Sequence, residues 1–209
     1  MQVRDVMSRE VLTVGPETSA KYAAEAMAEN GFAALPVVDD DRRLVGIVAE
    51  ADVLRDRLPA DPRLHARRDA SVDEGLPSPQ VRGVMTTHVR TVLGTDDLSD
   101  VARLFVDDRL RSVPVLEDDR LAGIVSRRDL LRTIGRSDAE IRDDLLALVE
   151  DYTGESGAWD VTVAEGTATI RRTRGLPQVS GDTEHSALRA LARTVGGVTR
   201  VRILTETDV

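Results

Sequence analysis

The chain has no cysteine, which excludes disulfides and thiolate metal sites and fits a reducing compartment. Lysine is almost missing too: Lys21 stands alone among 28 basic residues, and the others are arginine. A Gly-Lys-Ser/Thr phosphate loop is therefore excluded, and no lysine is placed for Schiff-base chemistry. No apolar run approaches the roughly 18 residues that a membrane span needs. The opening "MQVRDVMSRE" lacks the apolar core of a signal peptide, so a cytoplasmic protein is expected. A net charge of −9 speaks against nucleic-acid binding, whose affinity comes chiefly from neutralising phosphates. His65, His88 and His185 fall in a linker, a loop and a helix start, without metal-like spacing, and no Gly-x-Ser-x-Gly elbow occurs. We expect no catalytic residue, no metal site and no cofactor: the chain reads as a non-enzyme.

What the chain does have is a copy of itself. "VRDVMSREVLTV" (3–14) lies over "VRGVMTTHVRTV" (81–92). "AALPVVDDDRRLVGIVAEADVL" (33–54) lies over "RSVPVLEDDRLAGIVSRRDLL" (111–131), with one extra residue near Arg43. Two copies are too few for a solenoid and predict a pseudo-twofold pair sharing one core. Each copy opens with a short extended piece ("VLTV", "VRTV"). An amphipathic helix follows over 18–30 or 96–108, with Ala23, Ala26 and Met27, or Val101, Leu104 and Phe105, as its apolar face. An apolar strand, an acidic turn, a second strand and a closing helix complete the unit. The fold class is α/β (α+β). The domains are expected at 1–56 and 81–135, joined by a linker at 57–80 with four prolines, and followed by a separate domain at 137–209.

The repeats, with their twice-written strand–Gly-hydrophobic–x-Ser/Thr-x-x-Asp phrase, resemble cystathionine-β-synthase (CBS) domains paired as a Bateman module. The resemblance covers about 1–135. It implies a regulatory module that binds an adenosine-containing ligand (AMP, ADP, ATP or S-adenosylmethionine) in clefts built across the pseudo-dyad, and it implies a homodimer.

Taken alone, "SRRD" at 126–129 is a capping box, with Ser126 accepting from first-turn amides and Asp129 at the positive end of the helix dipole. The same geometry suits a nucleotide, because helix amides and arginines bind phosphate and a carboxylate accepts from two ribose hydroxyls. The resemblance implies a main site where Ile124, Ser126, Arg128 and Asp129 face Thr13, Val14, Phe32, Ala33 and Leu35. Thr13 and Ala33 would meet an adenine edge, and Arg111 with Arg127 or Arg128 would reach phosphate. Core packing is the competing account of Phe32, Leu35 and Ile124. The opposite cleft, where Ala49, Glu50 and Asp52 would face Thr91, Leu110 and Arg111, is expected to be weaker: "AEAD" has lost the hydroxyl and both arginines and gained Glu50. One strong site per chain follows.

The tail reads differently. "SDAEIRDDLLALVEDY" opens on a capping box, Ser137 with Glu140, and carries Ile141, Leu145, Leu148 and Val149 on one face. An alternating hairpin turns at Glu165-Gly166, a helix is expected over 182–195, and "GGVTRVRIL" closes as a strand. This αββαβ order resembles a BON domain, which implies a phospholipid surface or a protein as partner. Residues 137–209 carry eight arginines against thirteen acids, which argues against broad attraction to anionic lipid. Arg171, Arg172 and Arg174 read as a local basic spot or, alternatively, as a solvated strand edge. The competing overall reading is an interaction protein whose CBS pair only dimerises while the BON-like domain carries recognition.

Overall fold

Residues 1–55, 78–175 and 180–204 are described by the computed structural model. The expected linker at 57–80 lies largely outside the described residues. One unit of the chain comprises Val3–Asp96 and Asp100–Arg127, and a second comprises Met1–Gln2, Asp97–Ser99 and Arg128–Val209.

In the first unit, Ser19 caps helix α1 (Ala20–Asn30) by accepting from Tyr22 N, and Gly31 ends it in the left-handed region. Ala20, Ala23, Ala26 and Met27 are its buried stripe. The chain returns as β1 (Ala34–Val38), antiparallel to β2 (Leu44–Ala49), and closes with α2 (Glu50–Leu54). The second copy follows the same plan: β3 (Val92–Leu93), α3 (Leu98–Asp107), β4 (Ser112–Glu117) and β5 (Arg120–Ser126), with sheet order β3-β4-β5. The β4–β5 turn uses Asp118 and Asp119, both at positive φ, where the first copy needs a longer acidic loop. Of the expected strand "VLTV", only Val14 pairs, parallel to Val37. Leu12 is exposed, and Gly15-Pro16 turns the chain away before a ladder can grow.

The two copies share a core by exchanging their opening arms. Val81, at the start of the second copy, donates to Thr18 O and packs in the core of the first with Val14, Met27, Leu35, Val37 and Val48. Val3 donates to Asp96 O in the second copy. Thr86 and Ile47 exchange two backbone hydrogen bonds of 2.9 Å, and Ser8 and Ile124 do the same. Each crossing runs over the glycine of the repeated phrase. A Cβ on Gly46 would lie 2.7 Å from Met85 Sδ and 3.1 Å from Thr86 O, and one on Gly123 would lie 2.8 Å from Met7 Sδ and 2.9 Å from Ser8 O. A methionine tip can move, but a backbone oxygen in a paired strand cannot. Gly123→Ala is therefore expected to destabilise the protein by about 1–3 kcal/mol, as overpacking does. Urea denaturation measures it, and a loss below about 0.5 kcal/mol would show that the crossing relaxes.

In the second unit, α4 (Arg127–Ile134) is followed by α5 (Asp138–Thr153), β6 (Trp159–Ala164), β7 (Thr167–Arg172), α6 (Gly181–Ala192) and β8 (Arg200–Leu204). The order after α4 is αββαβ, with β6 antiparallel and β8 parallel to the central β7. Ser137 and Glu140 form the reciprocal capping box of α5, and Ile141, Leu145 and Val149 are buried on its face. Glu165 and Gly166 turn the hairpin at positive φ, and both amides donate to the Asp138 carboxylate at 2.9 and 3.1 Å. Most of α4 belongs to this unit because its end seats on the "VGGV" turn. Arg136 donates to Gly196 O, and a Cβ on Gly197 would lie 2.4 Å from Ile141 Cδ1. Among the described residues no helix is long and apolar enough to cross a membrane.

Candidate functional site

At the end of β2 the backbone of Ala49 is extended, and its N–H donates to Asp52 Oδ2 at 3.0 Å. This is one half of a capping box; the other half is gone because alanine has no oxygen to offer the first-turn amides. Glu50 N donates to Ala33 O, just as Arg127 N donates to Arg111 O at the corresponding place in the second copy. The side chains at these two positions then diverge. Arg127 turns into its own repeat and donates to Leu110 O and Phe105 O at 2.6 and 2.7 Å. That tether engages Arg127 with its own repeat and leaves Arg128, which is exposed. Glu50 instead reaches across to the other repeat and accepts from Arg111 Nη1 at 2.5 Å.

Around this pair lies a cavity of about 520 Å³ within the first unit. Ala33, Ala34, Ile47, Ala49, Leu54, Val89 and Leu110 give it apolar walls. Thr86, His88, Glu50, Asp52, Arg90, Arg109, Arg111 and Ser112 give it polar groups. Arg90 lies 3.4 Å from Asp108, while no carboxylate among the described residues pairs with Arg109. The Ser112 hydroxyl is buried without a hydrogen-bond partner in this structure. Buried hydroxyls rarely stay unpaired, so a cavity lined by one has a donor and acceptor left for a guest. Apolar walls with a few convergent polar groups are the usual make-up of a small-molecule site.

The expected site residues divide as follows. Asp52 and Arg111 line this cavity, whereas Thr91 is exposed and outside its lining. Arg111, expected both at the Asp129 site and facing Glu50 and Asp52, is held by Glu50 at the Asp52 cavity, where the segment after α3 places it. Val14 and Leu35 are buried in the core of the first repeat. Ala33 is half-buried at the cavity wall, Thr13 is half-buried and Phe32 is exposed. Ile124 and Ser126 are half-buried at the end of β5, and Asp129 is buried in the first turn of α4. The ground for ranking the Asp52 cavity as depleted needs correction. Its guanidiniums come from the second repeat, through Arg90, Arg109 and Arg111, and not from the "AEAD" phrase. Arg90, Arg109, His88 and Ser112 were missed: His88 and Arg90 follow the arm that crosses to the first copy at Thr86, and Arg109 and Ser112 lie between α3 and the start of β4.

Of the two readings of the tail arginines, the basic spot and the solvated strand edge, neither describes Arg172. Arg171 pairs across the hairpin with Asp160 at 2.9 Å. Arg172 points inward between Glu155 and Glu184, with its guanidinium 4.3 Å from the Trp159 ring centroid. Burial by itself would lower its pKa, but the hydrogen bonds and attraction of Glu184 and Glu155 outweigh that and raise it. Among the described residues no cluster of His, Asp and Glu is arranged to hold a metal ion.

The model of the CBS domain matches residues 3–58 and 81–136, more than half of the chain. The chain belongs to the CBS-domain family. An uncharacterized protein of Methanocaldococcus jannaschii, MJ1404, is 31% identical over 133 residues, covering 64% of this chain and 32% of its own length. The chain thus matches less than half the length of the first curated relatives. The solved structure of CBSX2 in complex with AMP is 30% identical, with a TM-score of 0.50, and the match covers 63% of this chain and 93% of that one. The CBS domain pair of MJ0100, solved with 5′-methylthioadenosine and S-adenosyl-L-methionine, shares the fold at 24% identity and a TM-score of 0.51, covering 65% of this chain and 96% of that one. The fold of the repeated unit is shared with proteins solved in complex with adenosine compounds.

Proposed function

We propose that this CBS-domain protein is a non-catalytic, cytoplasmic sensor that binds an adenosine-containing ligand, AMP, ADP, ATP or S-adenosylmethionine, between its two repeats. The observation that carries the reading is the Asp52 cavity. It joins the acid of one repeated phrase to arginines and an unpartnered serine from the other repeat, so that ligand and pseudo-dyad are coupled by construction. Asp52 serves as ribose acceptor, Ala33 and Ile47 as wall, and the arginines as anion contacts. The Ser126–Asp129 phrase is a second ribose-binding element in the same reading. Calorimetry of the full chain against the four ligands is the test. Saturable binding of at least one is expected, and no heat from any of them would leave only the dimerising interaction protein.

The sensor works as a homodimer in this proposal. Tyr22 on α1, Leu54 on α2 and Val106 on α3 expose apolar side chains, Val106 to 74%. A self-associating face is a common reason for such residues. Light scattering at tens of micromolar should return twice the 22.8 kDa chain mass, and a monomer mass would refute this part. The C-terminal unit, with its BON-like αββαβ order, serves a partner. A protein is the better candidate than an anionic membrane, because Arg171 and Arg172 are already paired with acids.

A further inference from the structure

Arg109 occupies the position that Gly31 holds in the first repeat, five residues before the proline of each apolar strand. Both residues have left-handed backbones, φ 64° at Gly31 and φ 54° at Arg109. Glycine takes that conformation without a Cβ penalty, whereas an arginine there is strained. A strained residue persists where its side chain has a task, and such residues gather at ligand sites. This one lines the Asp52 cavity. Of the three cavity arginines, Arg111 is taken by Glu50 and Arg90 lies against Asp108, while no described carboxylate pairs with Arg109.

We infer that Arg109 is the residue that selects a phosphorylated ligand in this cavity, a nucleoside 5′-phosphate over the bare nucleoside. The inference rests on the sensor reading and adds to it which charge the ligand carries and which group reads it. Glu50 has the complementary role. By holding Arg111 it removes one cation, so that discrimination between phosphate and no phosphate falls on Arg109.

The test is calorimetry of AMP and adenosine against wild type, Arg109→Gly and Arg109→Lys, with thermal unfolding of the same proteins. Arg109→Gly copies the first repeat and should raise the melting temperature. It should weaken AMP at least fivefold while leaving adenosine within twofold, and the AMP loss should shrink as salt rises, because the contact is ionic. Arg109→Lys keeps the charge and should recover most of the AMP affinity. Equal AMP affinity in wild type and Arg109→Gly, or equal losses for AMP and adenosine, would overturn the inference while leaving the sensor reading standing. Absence of binding by AMP and adenosine to all three proteins would overturn the inference, and the sensor reading falls with it only if ADP, ATP and S-adenosylmethionine also give no heat.

Discussion

Replacing Arg172 by alanine is expected to lower the stability of the C-terminal unit by about 3–5 kcal/mol, the cost of stranding the partners of a buried ion pair. The Arg172 and Glu184 side chains are 12% and 11% exposed, and Glu155 is 23% exposed. Removing the guanidinium leaves two carboxylates facing one another in a site from which water is largely excluded. It also uncovers the Trp159 ring on which the guanidinium stacks. Trp159 is the only tryptophan of the chain, so its fluorescence in urea reports this unit alone. The double variant Arg172→Met/Glu184→Leu should recover part of the loss, because the more buried of the two stranded carboxylates is gone and only the more exposed Glu155 stays unpaired. Equal stability of wild type and Arg172→Ala would mean that the network is solvated and holds nothing together.

That network shows how far the sequence could be read. In β7, Ala168 and Ile170 are buried, and strand alternation puts Arg172 on their face and Arg171 on the other. That parity separates Arg172 from the basic spot and from the solvated edge alike, while the charge of the three arginines taken alone does not. Local signals carried furthest: the Ser137–Glu140 box, the Glu165-Gly166 turn and the α5 face depend on residues near one another in the chain, although the strand expected at "VLTV" did not form. The CBS pairing was legible from the repeated phrase. What was not legible is what crosses the dyad. The Gly46 and Gly123 contacts, and Arg90 and Arg109 of the Asp52 cavity, join residues about 40 to 115 positions apart, and no periodicity reports such distances. The pseudo-dyad did set Arg111 against Glu50 and Asp52. The loss of the Ala49 hydroxyl was read correctly as a lost cap, yet the cavity's charge is supplied from the other copy.

The acids of the two phrases separate architecture from recognition, and Asp52→Asn with Asp129→Asn is the decisive pair. Asp52 Oδ2 accepts from Ala49 N–H, a bond that the amide oxygen of asparagine can keep. The stability loss should therefore stay near the dipole term, about 0.3–1 kcal/mol. Affinity is another matter. A ribose held by a carboxylate loses a charged acceptor for two hydrogen bonds, each worth about 1.5–3 kcal/mol. The fall should be at least tenfold, since about 1.4 kcal/mol is one decade. The phrases alone predict a single strong site; on the proposed reading, with arginines lining the Asp52 cavity, two binding steps are expected instead, and each mutant should lose one of them. Calorimetry on the full chain with AMP and S-adenosylmethionine reads both steps, and thermal unfolding reads the caps. If both mutants lose stability but bind as wild type does, the acids are caps alone, and the cavity holds its ligand by other groups or holds none.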